Sequence, residues 1–200
     1  MDILGKPKIY NGLQRIVGAM RARETVIKEY LQPKGGYRIL DIGCGTGYVI
    51  NYLPNNCSYV GFDISAAYIN YAKMKYGFKG EFHCNYVTKN LLKGYGVFDC
   101  VMMNGLIHHL DDSESVDMLG LAKSVLKEGG TIVGIDGCYK DDLGSLEKWI
   151  LNNDRGKFVR DKSGYELVLR NVFRRTYSEE RENLFVIPYN CLIWKCINDE

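Results

Sequence analysis

Apolar residues along the chain fall into two alternating rhythms. Short, nearly continuous apolar runs recur at 37–42, 58–64, 80–86, 97–103 and 131–136. They have the length and composition of strands buried on both faces. Between them the apolar residues return every third or fourth position, as on one face of a helix. This spacing predicts helices over 11–31, 46–53, 66–76, 111–126, 143–152 and 163–173. Punctuation agrees with several of these boundaries. Pro33, Gly35 and Gly36 stop the first helix, and Ser65 can cap the one that begins at Ala66. Asp111 and Glu114 have capping-box spacing, and Lys127-Glu128-Gly129-Gly130 reads as a helix stop. Two last strands, 174–179 and 184–197, are separated by a charged turn and read as an antiparallel pair.

Strands alternating with helices predict an α/β fold. The expected sheet has seven strands, is mostly parallel with the last strand antiparallel, and carries helices on both faces. The chain shows no repeat and no low-complexity linker, so a single domain over 1–200 is expected. Within it, 1–36 forms an N-terminal helical lid and 37–136 a ligand-binding core. Residues 137–162 supply a pocket segment, and 163–200 a closing helix and strand pair.

Composition narrows the function classes. The chain has 200 residues and a net charge of +2, with 46% hydrophobic and 25% charged residues. That balance suits an ordinary globular domain and gives no ground for a nucleic-acid partner. The chain has no run of about 18 apolar residues, so no membrane span is expected. The first residues, with Asp2, Gly5 and Pro7, do not resemble a cleaved leader. Seven cysteines are scattered without a CxxC pair, which argues against a zinc site and for a reducing, cytoplasmic setting.

The chemistry concentrates at one turn. The first strand ends in Asp41 and Ile42 and runs into Gly43-Cys44-Gly45-Thr46-Gly47. Glycines allow the sharp turn and let a ligand approach the backbone. Asp63 ends the next strand, 20 residues after Gly43, where an acid can accept both hydroxyls of a ribose. A dinucleotide site calls for GxGxxG, whereas this loop is GxGxG with Tyr48 at the third position. An acid at 41 also repels a pyrophosphate. Together these residues point to a nucleoside ligand with cationic groups and no phosphate.

The segments ILDIGCGTG, GFDIS, FDCVMMNGLIHHL and LKEGGTIVGID follow in the order found in class I S-adenosylmethionine-dependent methyltransferases. The chain resembles that family over 37–136. Its N-terminal helix and YVGFDISAAYI look like a branch of small bacterial members. The resemblance implies the Rossmann-like methyltransferase fold and S-adenosylmethionine as cofactor. It implies that Gly43, Cys44, Gly45 and Gly47 pass beneath the methionine part, and that Asp41 orients its ammonium. Asp63 would hold the ribose, Ile64 pack on adenine, and Asn104 line the methionine side. Many members have an acid after the third strand for the adenine amino group. Here Asn85, Tyr86 and Val87 stand there, and Asn85 and Tyr86 are the expected adenine neighbours.

The function so implied is methyl transfer to oxygen or nitrogen of a small-molecule acceptor. A hydroxyl acceptor benefits from a general base. His109 and His108, after the fourth strand, are the candidates. Tyr10, Tyr139 and Trp149 lie in segments that can close over an acceptor. Asp136, Asp141 and Asp142 have the chemistry of metal ligands but read equally as a strand end and a helix cap, so no metal is expected. Two alternatives remain at this point. One is a non-catalytic cofactor-binding subunit of methyltransferase type, the other a nicotinamide-dependent Rossmann enzyme.

Overall fold

A computed structural model describes residues 6–154 and 156–199. Residues 1–5, the beginning of the expected N-terminal lid, lie outside it, as do Arg155, within the polar stretch 153–156, and Glu200.

The sheet forms from β1 (Arg38–Ile42), β2 (Ser58–Asp63), β3 (Glu81–Cys84), β4 (Phe98–Asn104) and β5 (Leu126–Tyr139). The two-residue β6 (Arg160–Asp161), then β7 (Arg175–Arg181) and β8 (Cys191–Ile197), complete it. The order is β3-β2-β1-β4-β5-β8-β7, and β6 pairs with the end of β5 off that path. β1 to β5 pair in parallel, and β8 lies antiparallel to both β5 and β7. The seven strands along that path and the reversed last strand agree with the sequence reading, and the short β6 is additional.

Side chains alternate between two cores. Ile39, Met102, Val133 and Ile193 pack on one face with Ala22, Val26, Ile27, Ile69 and Ala72. Leu40, Val101, Met103 and Trp194 pack on the other. Covering that face are α5 (Asp112–Lys123), through Met118, Leu119 and Ala122, and α7 (Lys162–Arg170), through Tyr165, Val168 and Leu169. Helices thus cover both faces, which is why the strands read as continuous apolar runs. α3 (Ala66–Tyr76) and α5 start where their caps predict. Ser65 accepts from the backbone of Tyr68, and Asp111 and Glu114 form the reciprocal box.

Several elements differ from the sequence reading. The last strand, expected over 184–197, begins only at Cys191. The helix expected over 11–31 is broken into α1 (Pro7–Ile16), α2 (Ala19–Thr25) and a π-helical turn, Val26–Leu31. The break is at Gly18, which sits at φ 85°. A Cβ there would lie 2.7 Å from the Val186 nitrogen, which itself donates to the Val17 carbonyl at 2.9 Å. The chain turns here because the 185–187 segment crosses it. The helix expected over 46–53 is only a 3-10 turn, Tyr48–Tyr52. β5 begins at Leu126 rather than Thr131, because the expected stop at 127–130 stays extended and reaches β4 through a register shift. α4 (Lys89–Leu92) and α6 (Ser145–Asn152) complete the helices.

Candidate cofactor and acceptor site

The carboxyl ends of β1, β2, β4 and β5 open on a cavity of about 710 Å³, roofed by α1 and the start of α2. Small-molecule sites span about 300–1,000 Å³. A small second pocket of about 20 Å³ shares Tyr10, Arg23, Gly43, Gly45 and Asn104 with its lining, extending the site to Asp41, Cys44 and Thr46.

The glycine loop turns its amides inward. Gly43 and Cys44 N–H both donate to the Phe62 carbonyl, at 2.8 and 2.9 Å. Gly47 N–H donates to the Cys44 carbonyl, and Gly45 N–H to Asp63 Oδ2 at 2.9 Å. All three glycines have positive φ. Four loop amides are therefore consumed within the protein, and the turn that follows is 3-10 rather than an α-helix N-terminus. A pyrophosphate cradle needs both features that this loop lacks. Asp63 is fixed in turn, since its Oδ1 accepts from Ser65 N–H at 2.8 Å.

Asp41 is buried and accepts from the Tyr59 hydroxyl at 2.6 Å. Burial raises its carboxyl to about 7 against the opposing effects of Tyr59 and Arg23. Such a group ionises readily beside a bound cation. Next to it, Asn104 at the end of β4 is 6% exposed, and neither its Nδ2 nor its Oδ1 has a partner. Buried amides without partners are rare and costly. Asn104 lines both the cavity and its extension. Free donor and acceptor sites here fit a zwitterionic amino-acid end, and Asp63 fits a ribose.

α1 is tied across this end. Asn11 Oδ1 accepts from the Thr46 hydroxyl at 2.6 Å, and Arg23 donates to Gln14 and to the Tyr48 hydroxyl, both at 2.9 Å. The Tyr10 and Tyr68 rings meet at 4.9 Å.

At the β5 end, His108 Nδ1 lies 2.7 Å from Asp136 Oδ1, and its Nε2 lies 3.4 Å from Asp154 Oδ1. Trp194 Nε1 donates to Asp136 Oδ2 at 2.8 Å, and the Tyr189 hydroxyl to Asp154 Oδ2 at 2.9 Å. Burial alone would lower the imidazole, but the two carboxylates raise it to about 9. The His108 imidazolium, with Gly156 N–H and the Tyr189 hydroxyl, holds Asp154 below the usual carboxylate range in return, against its own burial.

Most residues expected at the site converge on the cavity. Gly43, Gly45, Asp63, Ile64, Asn85, Tyr86, Asn104, His108, His109 and Tyr10 line it. Asp41 and Cys44 line its extension. Gly47 lies behind the loop, where a Cβ would meet the Phe82 ring at 2.5 Å, so it packs on the core rather than facing a ligand. Tyr139 bonds to Asn152, Trp149 is 62% exposed, and both lie outside the cavity lining. Of the two histidines expected as bases, His108 is buried and faces two carboxylates, whereas His109 is exposed. Gln14, Arg23, Tyr68, Asp154 and Tyr189 were not anticipated as site residues. They come from helix faces and polar loops with no motif of their own. Among the described residues no group of three or more His, Cys, Asp or Glu side chains is placed to hold a metal ion. No helix among them is long and apolar enough to cross a membrane.

Comparison with known proteins gives the same picture. Residues 39–130 match the family described as "Methyltransferase domain". Phosphoethanolamine N-methyltransferase 3 of Arabidopsis thaliana is 29% identical over 166 residues, 79% of this chain and 33% of that protein. The cyclopropane-fatty-acyl-phospholipid synthase of Escherichia coli K12 is 31% identical over 140 residues, 66% of this chain and 34% of the relative. The chain thus spans about one third of the length of these curated relatives. The plantazolicin methyltransferase BpumL, solved with SAH, superposes with a TM-score of 0.69 at 16% identity, covering 94% of this chain and 86% of that one. At that identity the likeness speaks for the fold alone. The methyltransferase-domain match over 39–130 and the strand order agree with the resemblance to class I S-adenosylmethionine-dependent methyltransferases. S-adenosylmethionine is the cofactor of that family.

Proposed function

We propose that this chain transfers a methyl group from S-adenosylmethionine to nitrogen or oxygen of a small-molecule acceptor. The observation that carries the reading is that a single cavity runs from Asp63 and Ile64, past Asn104, to Asp136, Asp154 and Tyr189. One end suits a nucleoside and the other leaves room for an acceptor.

Asp63 would hold the ribose hydroxyls, with Ile64, Asn85 and Tyr86 around the base. Asp41 and Asn104 would meet the amino-acid end, and Gly43, Cys44 and Gly45 would form the floor. When bound, the cofactor supplies a sulfonium-activated methyl group. The protein's part is then mainly to align the acceptor and exclude water. His109, exposed beside His108 with ring centroids 4.3 Å apart, is the better placed of the two histidines to take a proton from a hydroxyl acceptor. The relatives are named for phosphoethanolamine and for fatty-acyl phospholipid. Their likeness therefore supports the donor chemistry and leaves the acceptor open. The consumed loop amides weigh against a nicotinamide dinucleotide.

The experiment is a turnover screen with S-adenosylmethionine against small amines, phenols and alcohols, reading S-adenosylhomocysteine. Turnover with at least one member is expected. Binding of S-adenosylhomocysteine without turnover of any acceptor would instead favour the non-catalytic subunit.

A further inference from the structure

The two ends of the cavity differ in charge. At the cofactor end the lining cation is Arg23, already engaged by Gln14 and Tyr48. At the acceptor end Asp136 and Asp154 face one imidazolium, His108, which leaves a net charge of −1 (two carboxylates minus one cation). Among the described lining residues Arg23 is the only lysine or arginine.

The two carboxylates are not equivalent. The Asp136 side chain has no exposed surface and is sealed by His108 and Trp194. Asp154 keeps 23% of its side-chain surface exposed and lines the cavity, so it is the charge a bound acceptor reaches. The Tyr189 hydroxyl bonds to it, and the Tyr189 ring packs on Phe185 with centroids 4.8 Å apart. Ile150 and Ile187 line the same wall. A carboxylate beside aromatic faces and apolar walls recognises an ammonium or amine head on a hydrocarbon body. An anionic head placed there would meet a like charge, and no lysine or arginine among the described lining residues stands at this end to offset it. In the transfer the neutral amine attacks the methyl carbon, the carbon–sulfur bond breaks and S-adenosylhomocysteine leaves, so the positive charge passes from sulfur to nitrogen, where Asp154 would stabilise it as it develops.

We propose that the acceptor is a small amine without a phosphate group and that Asp154 anchors it beside Tyr189. This rests on the methyltransferase reading above and narrows it to one acceptor class. His108 is then a positioning residue. It ties Asp154 to the end of β5 through Asp136, and its carbonyl accepts from Phe158 N–H at 2.9 Å, which ties Phe158 to the same turn.

The test uses the full chain saturated with S-adenosylhomocysteine and three fragments of one skeleton: benzylamine, benzyl alcohol and benzyl phosphate. Dissociation constants are read by ligand-observed NMR. The amine is expected to bind at least tenfold more tightly than the phosphate. Asp154→Asn should shrink that preference at least fivefold while S-adenosylhomocysteine affinity stays within twofold. Tyr189→Phe, which frees an oxygen of Asp154, should leave amine binding unchanged or tighter. Equal or tighter binding of the phosphate, no detectable amine binding, a preference that survives Asp154→Asn, or amine binding lost in Tyr189→Phe would each overturn the proposal. Failure of the chain to bind S-adenosylhomocysteine is a separate result, which removes the underlying reading and the inference with it.

Discussion

His108 Nδ1 stands 2.7 Å from Asp136 Oδ1, with both side chains almost completely removed from solvent. The pair joins the turn after β4 to the end of β5, and Asp154 completes it from the loop after α6. A buried ion pair adds net stability only while both charges are present and hydrogen-bonded.

That pair makes stability depend on pH. The ordinary histidine value is about 6.5, and in the folded chain His108 lies at about 9. A group raised on folding contributes fully below the unfolded value and loses its contribution as pH rises through the folded one. Urea unfolding is therefore expected to show a loss of up to about 3 kcal/mol between pH ~6.5 and ~9. His108→Asn should be less stable at pH 6 and nearly flat over the same range. A wild-type profile without that slope would contradict the imidazolium.

Asn104 provides a test that separates stability from binding. Both of its polar side-chain atoms are buried without partners in the free protein. An unsatisfied buried group costs about 1–3 kcal/mol. Asn104→Leu should leave the free protein equally or more stable in thermal unfolding. It should weaken S-adenosylhomocysteine binding about tenfold or more, or about 1.4 kcal/mol. Unchanged affinity would mean that the side chain meets no ligand.

Asp41 predicts a pH dependence of the opposite sense. Its carboxyl, raised to about 7 chiefly by burial, is largely protonated in acid. Binding a ligand ammonium favours the ionised form, so binding releases a proton. Affinity for S-adenosylhomocysteine should increase from pH 5.5 to 7 and level off above that. Asp41→Asn should bind more weakly and without that trend, and calorimetry in buffers of different ionisation enthalpy reads the proton directly. Wild-type affinity that ignores pH would exclude this role.

Asp63 carries two tasks, and its removal should show both. It accepts from Gly45 and Ser65 N–H and so holds the glycine loop and the start of α3. It also lines the cavity where a ribose is expected. Asp63→Ala is expected to lower thermal stability and to weaken cofactor binding by about 1.5–3 kcal/mol for each charge-assisted bond lost. An unchanged dissociation constant would refute the ribose role.

Much of this architecture is written in local chemistry. The five parallel strands, α3 with its Ser65 cap and α5 with its Asp111 box are legible because run length and cap spacing are properties of adjacent residues. Asp63 and the glycine loop are legible for the same reason, since both are tied to strand ends. What the sequence hides is convergence. The bend at Gly18 exists because the chain near Val186 crosses it, 168 residues later. Asp154, Tyr189 and Trp194 gain their meaning from meeting His108 and Asp136. The two adjacent histidines look alike in sequence. In the fold one is buried between carboxylates and the other is exposed.

The central claim is that the loop after β1, with Asp63, serves a cationic nucleoside free of phosphate. Titration calorimetry of the wild-type chain with S-adenosylhomocysteine, and separately with NADH, tests it most directly. The account predicts binding of S-adenosylhomocysteine at one site per chain and no heat of binding from NADH. Binding of NADH with no response to S-adenosylhomocysteine would contradict it.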